Sequence, residues 1–414
     1  MPDNRNEEMR RRPVQIRRKP DVNEEGQQQK KEKKEKKEKV SQRYATPFLV
    51  ILCVLMAAVT IVLVYMIRNH VEAKKGVKEQ LRLSAIAGFD CEYTEAQQLY
   101  PFQSGLLKVT NNRVAYLSIS GNEVFGVDIE MSSPVCIQSG AYAMVADAEG
   151  FVCALFSEEG LVFKSHMTGK IGSFALAPSG LSALIIDEGD SFGCVYMMEK
   201  DGTFLAKWSS YESGYPLSLA FAPDESTLSV SLVDTDGSQM IPHVKQFTIP
   251  KDRTSARPTE YAFYSPVLFD VMPLLAYMGT DKVMVAGISD VAVIGNGNCN
   301  MVDPSFACVS SIFPFDGGCA VIFSDGIDQP LRLSAFNSSG NKCCDIALGN
   351  DVHSFSVSGS RALIAVDEQI LLIDLPSGRI SSTLTVDEPI LRVSFFGSKN
   401  VCVITNAGVR EIAL

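Results

Sequence analysis

The sequence predicts an all-β fold, an eight-bladed β-propeller, with a seven-bladed propeller as the alternative. Beyond residue 80 it contains no long amphipathic helical stretch. Short runs rich in Val, Ile, Leu, Phe and Ser recur instead, punctuated by Gly, Asp, Asn and Pro, as in proteins built from many short strands. These runs repeat at intervals of about 42 residues, the length of a four-stranded propeller blade.

Two similar stretches set the register of the repeat: "FALAPSG" at 174–180 and "AFAPDES" at 220–226. Each follows one predicted strand and precedes another, so each is interpreted as the turn from a blade's innermost strand to its second strand. The same order extends over the rest of the chain. It predicts innermost strands near residues 97, 134, 171, 214, 267, 310, 352 and 389. Residues 97–170 and 245–310 fit less regularly, which keeps the seven-bladed alternative open.

The end of the chain predicts how the ring closes. The last repeat has three strands and stops at Leu414, which would leave an apolar strand edge exposed. The segment "LRLSAIAGFD", residues 81–90, alternates like a strand and has no other place in the repeat. We therefore expect it to supply the missing outer strand, so that residues 81–414 form one propeller closed by both ends of the domain.

The charge of the chain is divided between two regions. Residues 1–46 contain 15 Lys and Arg against 9 Asp and Glu, a net charge of +6, and few apolar residues. Such a segment favours a disordered basic tail, because it cannot bury enough surface to offset the entropy lost on ordering. Glutamates dilute its charge and no aromatic residues interleave it, so a nucleic-acid partner is not expected. From residue 69 onward the net charge is −17.

A long apolar run follows the basic tail. Residues 48–67, "FLVILCVLMAAVTIVLVYMI", are uncharged and would span roughly 30 Å as a helix, the thickness of a bilayer core. We expect a single transmembrane helix over 47–68 and a short juxtamembrane connector over 69–80. The excess of Lys and Arg before the run predicts a cytoplasmic N-terminus and an extracytoplasmic propeller at the cell membrane.

Two common sequence motifs for catalysis are missing. No P-loop or His-Glu-x-x-His motif occurs, and the four histidines are scattered. No catalytic, cofactor-binding or metal-binding residue is therefore assigned, and no cofactor is expected. Ten of the eleven cysteines lie outside the apolar run, mostly within apolar segments, which favours buried thiols. One or two disulfides remain open at this point.

The chain resembles a family of uncharacterised propeller proteins. The stretches that carry the resemblance are "GKIGSFALAPSG", "VYMMEKDGTFLAKWSS" and "LSLAFAPDEST", together with the basic tail and the apolar run. They are similar to single-pass, membrane-anchored WD40-like or PQQ-like propellers of Gram-positive bacteria. The resemblance implies a propeller and a membrane location but no activity. Quinone-dependent propeller enzymes repeat a tryptophan in each blade, whereas this chain has only Trp208.

Acidic residues recur in the predicted connections between second and third strands. In a four-stranded blade these connections share one face of the disc with those that follow the fourth strands. A closing strand over 81–90 would start on the other face, so the acidic face is expected to point away from the membrane. Its candidate partner-binding residues are Asp187, Glu188, Asp190, Asp234, Asp236, Asp325, Asp328, Asp367 and Glu368.

This face predicts a binding function. An acidic surface attracts a basic protein segment, a cationic wall component or divalent ions. The sequence therefore favours a non-enzymatic protein-binding scaffold of the cell envelope, whose partner is an envelope protein or a cationic wall component. Two alternatives are a propeller enzyme with its active site in the central channel and a ligand-sensing envelope protein, since a fold alone does not decide function.

Overall fold

The structure is a computed structural model. It describes residues 56, 60, 64, 85–92, 94, 97–250, 257–266, 271–302, 306–397 and 399–414. The chain divides into two units, residues 1–76 and 77–414, and every described strand belongs to the second unit. Apart from Met56, Thr60 and Val64, which are helical, the predicted tail, span and connector lie outside the described residues. Within the described part of the chain, no helix is both long and apolar enough to cross a membrane.

The strands form eight antiparallel four-stranded sheets, so the propeller has eight blades rather than seven. One strand of each sheet contacts its counterparts in neighbouring sheets and is the innermost. The innermost strands are β2 (Gln97–Phe102), β6 (Pro134–Ser139), β10 (Lys170–Leu176), β14 (Tyr215–Phe221), β18 (Leu274–Tyr277), β22 (Cys308–Phe315), β26 (Val352–Ser358) and β30 (Ile390–Phe396). The second strands are β3 (Gly105–Thr110), β7 (Tyr142–Asp147), β11 (Ser182–Asp187), β15 (Thr227–Asp234), β19 (Val283–Ala286), β23 (Gly318–Ser324), β27 (Arg361–Val366) and β31 (Asn400–Thr405).

The outer half of each blade completes the sheet. The third strands are β4 (Arg113–Ser118), β8 (Val152–Ser157), β12 (Gly193–Met198), β16 (Ile241–Thr248), β20 (Val291–Gly295), β24 (Leu331–Asn337), β28 (Gln369–Asp374) and β32 (Gly408–Ala413). The outermost strands are β5 (Glu123–Asp128), β9 (Gly160–His166), β13 (Phe204–Ser210), β17 (Thr259–Tyr264), β21 (Asn298–Met301), β25 (Lys342–Gly349), β29 (Arg379–Thr385) and, in the eighth blade, β1 (Ala85–Asp90).

The second strands lie deepest in the blades, which explains their composition. All seven residues of β23, "GCAVIFS", are buried, as are the first seven of β15, "TLSVSLV". A strand that is covered on both faces typically has a nearly continuous apolar sequence. In β15 the buried serines find partners: Ser229 bonds the Tyr277 hydroxyl at 2.8 Å, and Ser231 donates to the Met272 carbonyl.

The two Ala-Pro stretches form equivalent turns from innermost to second strands. In the third blade the Ala177 amide donates to the Leu181 carbonyl at 2.8 Å, and in the fourth the Ala222 amide donates to the Thr227 carbonyl at 2.9 Å. Gly180 completes the first turn with φ of 93°, a conformation that glycine adopts without strain. The two stretches are thus the same structural position in neighbouring blades.

The ring closes through β1. This strand is the described part of the segment 81–90, and it pairs antiparallel with β32. Arg410 of β32 strengthens the junction, because its guanidinium donates to the Phe89 carbonyl at 2.9 Å and contacts the Asp90 carboxylate at 2.5 Å. The eighth sheet therefore combines strands from both ends of the domain and leaves no unpaired edge on β32.

The core consists of eight apolar clusters, one between each pair of neighbouring blades. The cluster between the last and first blades includes Leu106, Phe396 and Cys402. Of the ten described cysteines four are buried as predicted, four are half-buried, and Cys299 and Cys343 are exposed. Burial raises the pKa of Cys153, Cys319 and Cys402 to about 12. All ten described cysteines are free, so no disulfide occurs among them.

Candidate protein-interaction face

The connections after the second and fourth strands share one face of the ring, which we call the acidic face. The connections after the first and third strands form the opposite face. On the acidic face the described connections contain no Lys or Arg. They contain fifteen carboxylates: Glu92, Glu130, Glu149, Glu188, Asp190, Glu212, Asp236, Asp290, Asp325, Asp328, Asp351, Asp367, Glu368, Asp387 and Glu388. On the opposite face the described connections carry eight carboxylates and four Lys or Arg residues, so the negative charge is concentrated on one side.

The nine acidic residues expected from the sequence all lie at this face. They follow the second strands of the third, fourth, sixth and seventh blades. Asp187 and Asp234 end their strands, and the other seven lie in the connections. All eight blades contribute second-to-third connections, so these four blades supply only part of the acidic face.

Asp187 and Asp234 shape their turns. The Asp187 carboxylate accepts from the Gly189 amide at 2.9 Å, and the Asp234 carboxylate accepts from the Asp236 amide at 2.9 Å. These side-chain to backbone bonds are typical Asx turns. They present Asp190 and Asp236, which are both exposed, at the tips of the two connections.

Glu188 is half-buried and its carboxylate is paired within the third blade. Its carboxylate contacts the Lys207 ammonium at 2.5 Å and accepts from the hydroxyls of Thr168 and Tyr196, both at 2.5 Å. Burial works to raise the pKa of Glu188, but the hydrogen bonds from Lys207, Thr168 and Tyr196 outweigh it and lower the pKa to about 2. Glu188 therefore fixes the third blade's connection.

The acidic residues of the sixth and seventh blades have other surroundings. Arg332 contacts Asp325 at 3.1 Å and Asp345 at 2.5 Å, which partly neutralises that edge of the face. Asp328 and Asp367 have φ values of 59° and 51°, the left-handed conformation that Asp tolerates better than most residues. An aspartate at each of these positions therefore suits the backbone of the turn and also adds negative charge to the face.

One group on this face has the spacing of a metal site. Oxygen atoms of Glu188 and Asp190 and the Cys194 sulfur all lie within 4.8 Å of one another. The Lys207 ammonium already occupies the Glu188 carboxylate, and the Cys194 thiol lies 3.2 Å from the Ser209 hydroxyl. A cation there would have to displace the ammonium, so the donor set does not favour a metal ion.

The acidic face also exposes large apolar side chains, which the sequence reasoning missed. Its connections expose Phe151, Tyr211, Met240, Ile288 and Ile327, with 84% of Ile327 accessible to solvent. No described connection of the opposite face exposes a large apolar side chain. These five come from the second to the sixth blades, and each shares its connection with at least one Asp or Glu. Apolar groups collected on one exposed face are typical of protein-interaction sites.

Comparison with solved structures supports the fold. Sqt1 from Saccharomyces cerevisiae aligns with a TM-score of 0.57 and 11% identity, over 81% of this chain and 100% of that chain. Sqt1 from Chaetomium thermophilum gives 0.56 and 14%, over 81% and 100%. BamB from Moraxella catarrhalis gives 0.50 and 11%, over 80% and 97%. At such low identity these likenesses show the propeller fold alone.

Comparison with sequences gives the family. No curated protein matches this chain. A family model matches residues 78–414, which cover the whole propeller and most of the chain. The described strands all lie within the matched range. The chain therefore belongs to DUF5711, a family of unknown function.

Proposed function

We propose that this protein is a binding module whose acidic face docks a protein segment that carries both apolar and basic side chains. The observation that carries the proposal is the difference between the two faces. One has fifteen carboxylates and five exposed large apolar side chains in its described connections, and the other has a mixed charge and no exposed large apolar side chain there. The protein partner is an inference from this surface chemistry.

The two components of the face would have different roles. Negative charge without interspersed Lys or Arg attracts a basic segment and accelerates its association. Exposed apolar side chains such as Ile327 and Met240 supply contact area that becomes dry on binding, and such residues dominate the affinity of interfaces. A partner with basic residues around an apolar centre would match both.

We further propose that the protein works at the cell envelope, as a membrane-anchored scaffold with an extracytoplasmic propeller. The support comes from the sequence: the basic residues 1–46, the uncharged run 48–67 and the resemblance to anchored propellers of Gram-positive bacteria. β1 runs toward the acidic face and so begins at the opposite face. Ala85, the first residue of β1, therefore lies at the face opposite the acidic connections.

The proposal is tested by capturing partners from cells with the full-length chain and with matched variants. One variant carries Asp190→Asn and Asp236→Asn, which remove exposed charge from the acidic face. A second carries Met240→Ala and Ile327→Ala, and a control carries Glu158→Gln and Glu159→Gln on the opposite face. We expect the first variant to capture at least about threefold less partner at low salt and to be less sensitive to salt.

We expect the apolar variant to lose about tenfold in affinity by faster dissociation, and the control to match the wild type. Equal capture by all four proteins would contradict docking at the acidic face. A partner whose capture does not change between low and high salt would contradict the steering role of the carboxylates.

A further inference from the structure

The innermost strands line the centre of the ring and carry almost no charge. Their described residues include no Asp or Glu, and only Lys170 and Arg392 among Lys and Arg. Lys170 is exposed at the beginning of β10, at the rim. Arg392 lies within β30 and is half-buried. Within the described innermost strands Arg392 is therefore the one Lys or Arg away from the rim, and such a charge is costly unless something compensates it.

The position of Arg392 is occupied by serine in other blades. Five innermost strands have an irregularity in their pairing with the second strand at the same place, near the acidic face. Bulges of this kind change the direction of the side chains that follow. The residues after the irregularity are Ser173, Ser218, Ser311, Ser354 and Arg392. In the seventh blade this serine has a local structural role, because the Ser354 hydroxyl accepts from the Val393 amide at 3.2 Å.

Arg392 packs against Tyr100 of the first blade. Its guanidinium carbon stands 3.9 Å from the centre of the Tyr100 ring, a cation–π contact. Among the described residues no carboxylate lies within 4.0 Å of it. The Tyr100 hydroxyl donates to the Gln98 carboxamide oxygen and accepts from the Arg392 guanidinium. A guanidinium carries five N–H donors, so most of those of Arg392 remain available to a ligand.

A cavity of about 310 Å³ lies beside Arg392, between the eighth and first blades. Its polar lining includes Gln97, Gln98 and Thr405, Leu99 and Ile404 add apolar walls, and no Asp or Glu lines it. Arg392 also borders a second cavity of about 490 Å³, but there Asp351 supplies a carboxylate, 3.4 Å from the His353 ring. No carboxylate lines the smaller cavity itself, and the Glu388 carboxylate behind its wall accepts from the Thr405 hydroxyl.

We propose that Arg392 binds the carboxylate group of a small organic anion in the 310 Å³ cavity. A guanidinium edge fits a carboxylate with two parallel hydrogen bonds, and one positive charge balances one negative charge. A phosphate dianion fits less well, because the carboxylates of the surrounding acidic face repel it twice as strongly. The volume is at the lower end of ligand pockets, which favours a small acid or the C-terminus of a peptide. This site is separate from the proposed docking of a protein segment.

The first test measures how fast phenylglyoxal modifies each arginine of the full-length chain, read by peptide mass spectrometry. The added probes, at equal ionic strength, are acetate, succinate, triglycine, triglycine amide and inorganic phosphate. We expect the best carboxylate to slow modification of Arg392 at least about fivefold and phosphate to slow it less. Arg361 is the internal control, since its guanidinium lies 5.5 Å from the Phe395 ring but borders neither cavity.

The pattern of protection identifies the source of the carboxylate. Protection by acetate or succinate but not by triglycine indicates a small acid, and protection by triglycine but not by its amide indicates a peptide C-terminus. The proposal is overturned if no carboxylate protects Arg392, if the amide protects as well as triglycine, or if phosphate protects best. These outcomes do not involve the acidic-face variants, so this proposal and the docking proposal fail separately.

A second measurement uses variants and thermal unfolding. We expect a saturating carboxylate to raise the melting temperature of the wild type by about 1–2 °C over chloride at equal ionic strength. Arg392→Gln should lose this increment, Arg392→Lys should keep only part of it, and Arg361→Gln should keep all of it. An increment in Arg392→Gln equal to that of the wild type would show a general salt effect and would overturn the site.

Discussion

Neighbouring acidic residues differ at the scale of single side chains. The stretch 187–190 appears in the sequence as one acidic group, yet Asp187 supports a turn, Glu188 pairs with Lys207, and only Asp190 is both exposed and at the tip. Because burial and hydrogen bonding depend on Thr168, Tyr196 and Lys207, which are distant in sequence, the sequence alone could not separate these roles. The candidate site was predictable as a face but not as a set of equivalent residues.

The ion pair of Glu188 with Lys207 stabilises the third blade. Replacing Glu188 with Gln leaves the Lys207 ammonium without its carboxylate, so we expect the free energy of unfolding to fall by about 1–3 kcal/mol. Asp190→Asn is the matched control, since Asp190 is exposed and its change should be within about 0.5 kcal/mol. Urea unfolding at neutral pH measures both. An Asp190 effect as large as that of Glu188 would contradict the assignment.

The same pair makes stability depend on pH in a defined direction. The pKa of Glu188 falls from 4.5, its ordinary value, to about 2 in the folded protein, so the folded state binds its proton less readily than the unfolded state. Its contribution is complete above about pH 4.5 and is lost as the pH falls toward 2. We expect the difference in unfolding free energy between wild type and Glu188→Gln to shrink over this range. A difference that is constant from pH 6 to pH 3 would contradict the shift.

At the scale of elements, the closing strand joins the two ends of the ring. β1 pairs with β32 and is the only strand of the eighth blade from the N-terminal side of the domain. The sequence predicted its place because the last repeat was one strand short. Gly88 of β1 lies very close to the backbone of β32, because a Cβ at this position would stand 2.2 Å from the Val409 carbonyl oxygen.

Gly88→Ala is therefore expected to weaken ring closure. Both Gly88 and Gly160 of β9 have strongly positive φ values, 145° and 146°, but a Cβ at Gly160 would contact nothing within 4 Å. Gly160→Ala thus measures the backbone strain alone, about 1–3 kcal/mol. We expect Gly88→Ala to cost at least about 1 kcal/mol more, and to raise hydrogen exchange in β32 in particular. Equal losses in the two variants would mean that β1 contributes little to closure.

The positions of most innermost strands were predictable, and the exception has a physical reason. Expected starts near 97, 134 and 352 coincide with β2, β6 and β26, and four others differ by one or two residues. The fifth innermost strand was expected near 267 but begins at Leu274. The fifth blade has strands of only four or five residues, so its sequence contains too few alternating positions to fix the register.

At the scale of the whole molecule, the ring separates two faces whose chemistry the linear order mixes. The acidic residues could be assigned to one face from the repeat alone, because connections alternate between faces along each blade. The exposed apolar residues could not, since each is a single apolar residue in a turn, as Ile327 is in "SDGID". Only the closed ring shows that Met240, Ile288 and Ile327 come from adjacent blades on the same side. The sequence did not point to Arg392, because serines occupy the equivalent positions in four other blades and no charged residue recurs there.

The most direct test of the central claim is site-specific photocrosslinking in intact cells. A photoreactive amino acid is placed at Met240 or Ile327 on the acidic face, or at Glu159 or Ser339 on the opposite face, and all four positions are exposed. We predict that one protein partner is captured from Met240 and Ile327 and not from Glu159 or Ser339. Capture of that partner only from Glu159 and Ser339, or equally from both faces, would contradict docking at the acidic face.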